Sequence, residues 1–415
     1  MTIALVLLLV VGTHSLVQAK VNLVFRQSDS PGEVKGLKKA IDEFNQLHPD
    51  IQVRFETVPW SDSRDQFIRE SVAGSGPDVL QLAFVWTRDL AKAGSLLKLN
   101  SLIKNDPLPN GIDDFVGLEM GQLDDGIYGI PWTVDTFAMV YRADILQKAG
   151  IKTFPDTWKD FQQTVIKLAE SRGQPGFGFP AGSASGGGMW FLANYFLWSN
   201  GYDFVKRDTS SGVYKLGVDV ENVADAIRYF KTFFDKGASP RSLIGVDSWA
   251  DPTLLHGIQS GTYPIIFIPP ATLRAILASN PELPLRSGLV PRGKVRRISH
   301  MGGRALGISV NTKHPKEAWE LVKFLTSKNV FEKYYTEQFP AQRALLQQIN
   351  FDPAFRGYAE LLQYARSFND YIVSPAPVGA MWDATNREFA AAFSGQKDPE
   401  RAARDLLESI QKLLK

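Results

Sequence analysis

The 415 residues carry 46 basic against 44 acidic side chains, a formal net charge of +2 that offers no basic field for nucleic acid or an anionic surface. Hydrophobic residues make up 44% and charged residues 22%, an ordinary globular composition in a chain longer than one core usually fills. There is no cysteine, so disulfides, thiolate metal sites and a lipid anchor on a cysteine are excluded.

Residues 3–11 form an apolar run, too short for a bilayer-spanning helix, and Val17-Gln18-Ala19 supplies a small-residue cleavage pattern. Together they predict a secretory leader over residues 1–19, leaving Lys20 as the mature N-terminus in the periplasm or outside the cell. No Lys or Arg precedes the run, and a buried N-terminal strand is the alternative reading.

Residues 21–25 (VNLVF) read as a buried strand, followed by the loop 26–32 (RQSDSPG). Val34, Leu37, Ile41, Phe44 and Leu47 then share one face of a helix. Alternation over residues 51–56 gives a second strand. A strand–helix–strand start implies a right-handed crossover and a mainly parallel sheet covered by helices. The pattern continues with a helix over 61–73, a turn at 74–77 (GSGP) and a strand over 78–83. Phe84, Val85 and Trp86 lie beyond that strand's C-terminal end, where open α/β sheets bind ligands. A further helix is expected from Asp89. Residues 100–126, rich in breakers and acids, are expected to wrap the surface. A first passage between lobes is placed near residues 131–134, with a strand over 137–141.

Further on, helices are expected at 158–169, 191–198 and 221–234, and a buried strand at 265–268 (IIFI). The loop 182–188 (GSASGGG) precedes a helix as a phosphate cradle would, yet lacks the Gly-x-x-x-x-Gly-Lys-Ser/Thr order. The basic, Gly-rich stretch 288–304 reads as a solvated return between lobes. Leu306, Ile308 and Val310 alternate as a strand, and 315–326 opens with Pro in the first turn of a helix.

Four stretches carry a resemblance: 74–82 (GSGPDVLQL), 128–141 (YGIPWTVDTFAMVY), 256–267 (HGIQSGTYPIIF) and 302–325 (GGRALGISVNTKHPKEAWELVKFL). In this order the chain resembles the extracellular solute-binding proteins of sugar ABC importers, the group that includes maltose- and trehalose-binding proteins. The resemblance implies a two-lobed α/β fold of the periplasmic-binding-protein type (type II), with discontinuous lobes joined by a hinge. The N-lobe would comprise residues 20–131 and 292–343, and the C-lobe 132–291 and 344–415. It further implies capture of a di- or oligosaccharide or glycoside, delivery to permease subunits, a monomeric state, no cofactor, no metal and no catalysis.

A pyranose presents apolar C–H faces and a rim of hydroxyls, so its recognition calls for flat aromatic rings and side chains with several donors and acceptors. The resemblance points to Trp382 after a Pro-rich loop and to Trp190 as platforms, each with core packing as the alternative. One of Phe84 and Trp86 would line the N-lobe side, Trp132 the cleft or the hinge, and Trp249 the C-lobe side or only its helix layer. Trp158 and Trp319 fit helical core patterns. Among polar groups, Asp135 would grip hydroxyls; Asp29 and Ser30 would edge the site or only form a turn. Gly303 would allow close backbone approach and Arg304 would supply a guanidinium fork or a salt bridge. Arg366 and Asn369 complete the candidates. Asp78 is expected to hold its loop. Two departures from the family pattern stand out: no acid near Ala83, and Pro269-Pro270 where many relatives have Gly-Pro-Trp.

A glycoside hydrolase would need two carboxyls about 5–10 Å apart around the scissile bond, and no nucleophile elbow or zinc-protease motif is present. A binder of peptides, polyamines or metals on the same fold is the remaining rival.

Overall fold

The computed structural model describes residues 20–27, 36–184, 188–335 and 338–415. The expected leader lies outside them, as do Asp29, Ser30, part of the Gly/Ser loop and the Asn369 side chain. Two mixed sheets organise the rest. Their strands, in chain order, are β1 (Val21–Gln27), β2 (Ile51–Thr57), β3 (Val79–Ala83), β4 (Ile130–Asp135), β5 (Ala138–Arg142), β6 (Phe177–Gly178), β7 (Ile265–Ile268), β8 (Leu285–Gly288), β9 (Gly302–Ile308) and β10 (Phe339–Pro340).

The first sheet runs β10-β4-β9-β3-β1-β2 and the second β8-β5-β7-β6. β1 pairs parallel with β2 and β3, as the strand–helix–strand reading implied, whereas β9 inserts antiparallel between β3 and β4. Each sheet is therefore built from segments far apart in sequence, and the molecule has two α/β lobes. The first sheet holds the chain as far as Asp135, so the expected division at 131/132 falls inside β4. Only Thr136 and Phe137 separate it from the second sheet.

Apolar periodicity explains the layers. In helix Leu37–Leu47 the buried residues are Leu37, Ala40, Ile41 and Phe44, one face at spacings of three and four. Helix Val220–Asp235 buries Val223, Ala226, Ile227, Phe230 and Phe234, and its N-cap Asp219 accepts from the Asn222 N–H. It packs against the C-terminal helix Pro399–Leu413, which in turn packs on helix Val378–Phe393. Asp78 holds its loop as its context implied: its carboxylate accepts from the Val24 N–H at 2.8 Å and the Thr312 hydroxyl at 2.6 Å. Trp158 and Trp319 are buried, with indole N–H groups donating to Ser199 Oγ and the Asp106 carbonyl. One boundary differs from expectation. The helix after β3 starts at Phe84 rather than near Asp89, because the apolar Phe84, Leu90 and Ala91 pack inward together with Thr87.

Candidate functional site

Between the lobes, where β4 ends and β9 begins, lies a cleft. Gln81, residues 132–135, Arg304, Gln338 and Phe339 form its first wall, and Pro269, Pro270, Ala271 and Arg274 its second. The second wall is the N-terminal turn of helix Pro270–Ser279.

Strand register decides which side chains meet there. Gly302 pairs with Asp135, Arg304 with Thr133 and Ala83, and Leu306 with Gln81. Alternation then puts Gln81, Thr133, Asp135 and Arg304 on one face of the sheet. Arg304 Nη1 stands 3.9 Å from Asp135 Oδ2, an ion pair within the first sheet between partly buried groups. The two glycines between strand end and Arg304 serve different purposes. A Cβ at Gly302 would overlap Asp135 Oδ1 and lie 3.3 Å from His300 Nε2. Gly303, at φ +150°, passes so close to the Thr133 carbonyl and the Phe84 ring that no side chain fits.

Of the expected contacts, the cleft brings together Trp132, Asp135 and Arg304, with Gly303 beside them. The tryptophans divide. Trp132 is 1% exposed, its indole N–H donates to the Leu325 carbonyl at 3.0 Å, and Tyr335 packs edge-on at 5.4 Å. Its ring is thus enclosed at the hinge and offers no free face. Trp190, also 1% exposed, is stacked with Phe204, Phe368 and Trp382 in the C-lobe interior. Both rings are core in this conformation, the alternative that the sequence left open. Trp382 remains half-buried, with Trp190 stacked on it at 6.3 Å and Phe191 edge-on at 5.0 Å. Trp249 is half-buried too, edge-on to Phe137 at 4.8 Å. Its indole Nε1 is sealed from solvent and has no hydrogen-bond partner among the described residues, a state that native proteins rarely leave unexplained.

Phe84 is buried beneath Gly117 and Gly303 and does not line the cleft, while Trp86 sits half-buried in the first turn of helix Phe84–Lys92. Arg366 belongs elsewhere. It bonds Asp203 at 2.8 Å and Asp370 at 3.3 Å, lies 4.6 Å over the Trp198 ring, and lines a separate hollow with Arg296, Arg297 and Tyr364. Burial raises the Asp203 carboxyl, against the pull of the Arg366 guanidinium.

Sequence reasoning missed Gln81, Thr133, Arg274 and Gln338. Gln81 did carry a signal, an amide inside an otherwise apolar strand (VLQLA) buried along its whole length. It also missed the link between Tyr195 and His300, whose Nδ1 lies 2.6 Å from the Tyr195 hydroxyl. Burial holds His300 neutral, its pKa pushed down to about 3, and pushes the Tyr195 hydroxyl well up.

The model for the bacterial extracellular solute-binding proteins matches residues 28–330. The chain belongs to that family. Members bind solutes for transport and do not catalyse reactions, so this protein is a binding component and not an enzyme. It is 24% identical over 387 residues to a putative binding protein of Brucella abortus, covering 91% of this chain and 89% of that one. A maltodextrin-binding protein of Bacillus subtilis is 24% identical over 389 residues, covering 88% and 84%. Among solved structures, the cyclic alpha-maltosyl-1,6-maltose binding protein from Arthrobacter globiformis superposes with a TM-score of 0.77 at 18% identity, over 95% of this chain and 99% of the other. That likeness establishes the two-lobed fold. Among the described residues no cluster of potential metal ligands occurs, and no helix is long and apolar enough to cross a membrane.

Proposed function

We propose that the protein captures a small carbohydrate, a di- or oligosaccharide or glycoside, between its lobes and hands it to the permease subunits of an ABC importer. The observation that carries this reading is the polar end of the inter-lobe cleft. There Asp135 supplies two acceptor oxygens, Arg304 and Arg274 supply guanidinium donors, and Gln81, Gln338 and Thr133 supply groups that both donate and accept. That inventory suits a ring of hydroxyls, and the maltodextrin- and maltosyl-maltose-binding relatives support it. Trp382 and Trp249 are the rings we assign to the ligand's apolar faces. The protein acts as an exported monomer, with the lobes exchanging chain near residues 136, 302 and 341–355.

One observation favours a second reading, a sugar acid or other anionic solute. The described cleft lining has two guanidiniums to one carboxylate, and Pro269-Pro270 stands where the family pattern has Gly-Pro-Trp. Calorimetric titration with maltose, trehalose, sucrose, glucosylglycerol, maltodextrins and galacturonic acid tests both. Saturable heat from a neutral sugar supports the first reading, heat from galacturonic acid alone supports the second, and silence from all six removes both.

A further inference from the structure

We infer that the Tyr195 hydroxyl is the pin that fixes where the hinge bends. It fixes the bend at two adjacent junctions among the three passages between lobes, Asp135–Thr136 and Met301–Gly302. The inference rests on the two-lobed fold and is independent of which solute is bound.

Both junctions are abrupt. Asp135 is the last residue of β4 in the first sheet, and Ala138 already pairs with Ile268 in the second. Phe137 packs on Phe191, Trp249 and Phe267, all C-lobe residues, at 4.4, 4.8 and 5.4 Å. On the returning passage, Ser299 and His300 pair with Ala365 and Arg366, and the Met301 N–H donates to the Arg366 carbonyl at 2.8 Å. The very next residue, Gly302, is the partner of Asp135. Residues 136–137 and 299–301 therefore travel with the C-lobe, and the two points of exchange lie side by side.

One hydroxyl holds this arrangement. The hydroxyl of Tyr195, on helix Met189–Ser199, shares hydrogen bonds with His300 Nδ1 at 2.6 Å and with the Thr136 hydroxyl at 3.2 Å, and accepts from the Phe137 N–H at 3.3 Å. With its single hydrogen and both lone pairs used, it joins one rigid helix to both passages. Thr136 and Tyr195 are fully buried and His300 nearly so, which leaves no water to replace a lost partner. Burial keeps the His300 imidazole neutral, so this contact involves no buried charge. Asp135 sits immediately before the bend. Rotation about these junctions consequently swings its carboxylate against the C-lobe wall, so the pin sets the path along which the cleft shuts.

The test needs no solute. Spin labels are attached through Lys38→Cys and Lys236→Cys, exposed positions one on each lobe in a chain with no native cysteine. Inter-label distance distributions are measured for the ligand-free protein and for Tyr195→Phe. The control is Tyr229→Phe, which loses a hydroxyl bonded to the Trp158 carbonyl inside the C-lobe. The pin predicts a broadened distribution in Tyr195→Phe only, with roughly tenfold faster hydrogen exchange at the Phe137 amide. Unchanged width and exchange in Tyr195→Phe overturn it, as does equal broadening in the control. Should Tyr195→Phe fail to fold, Thr136→Val removes one arm of the pin, and the same two readouts decide.

Discussion

Replacing Gly302 by alanine separates the cleft's geometry from the fold's stability. The glycine has no positive φ, so alanine meets no backbone penalty there. Its new methyl would instead overlap Asp135 Oδ1, with His300 Nε2 only 3.3 Å away on another side. His300 is held by Tyr195, leaving the carboxylate as the group that yields. To regain ordinary contact distance it must withdraw by about 1 Å, which consumes most of a hydrogen bond's tolerance. A bond to a charged acceptor contributes about 1.5–3 kcal/mol, so the dissociation constant should rise about 10- to 150-fold. Folding stability should fall by no more than about 1 kcal/mol, since only a terminal carboxyl has to move. Gly303→Ala, one residue on, should do the opposite. At φ +150° and against the Thr133 carbonyl and Phe84, it should cost about 2–5 kcal/mol of stability. Urea denaturation gives the stabilities, and calorimetry with the best sugar from the solute screen gives the affinities. If Gly302→Ala binds within twofold of the native protein, Asp135 does not grip the ligand. If both variants lose affinity only in proportion to stability, the steric reasoning fails.

Three further outcomes follow from the same geometry. Trp249→Phe keeps the ring against Phe137 but removes the partnerless N–H. It should leave the ligand-free protein at least as stable and weaken sugar binding about 5- to 10-fold; equal affinity would show that no ligand atom takes that hydrogen. Trp382→Ala should lose at least about tenfold in affinity while remaining folded by circular dichroism, and unchanged binding would remove its platform role. His300 has a folded pKa near 3 against an ordinary 6.5, so it stays neutral when native and charges when unfolded. Its contribution is complete above pH 6.5 and is lost by about 1.4 kcal/mol per pH unit as pH falls from 6.5 towards 3. Denaturation of the native protein and of His300→Gln across pH 4–7 should therefore differ in slope; parallel curves would contradict a buried neutral imidazole.

Elements whose residues bury through local periodicity were legible in the sequence. The helix bearing Val223, Ile227 and Phe230, the strand IIFI, and Pro315 in a first turn all occur where the pattern put them. Sheet order was not legible from periodicity, because β9 reaches its place between β3 and β4 through pairings more than 160 residues away in the chain. The site divides in the same way. Asp135 could be picked out through the family resemblance, which has an acid just beyond this passage, and Arg304 because it follows two glycines. Trp132 and Trp190 could not be sorted from Trp382 and Trp249, since every indole reads alike until its neighbours are known. What distinguishes them is the Leu325 carbonyl for one and the Phe204–Phe368 stack for another. The Tyr195–His300 bond left no trace, as 105 residues separate its ends.

The central position of β9 has a consequence during synthesis. While the first 301 residues emerge, β4 and the β3-β1-β2 ribbon lack the strand that joins them, and no complete first sheet can form. The second half-molecule waits longer still, because its aromatic interior needs Phe368 and Trp382. A nascent chain of this design stays uncommitted until nearly all of it is made, which keeps it threadable through a secretion pore before either half locks shut.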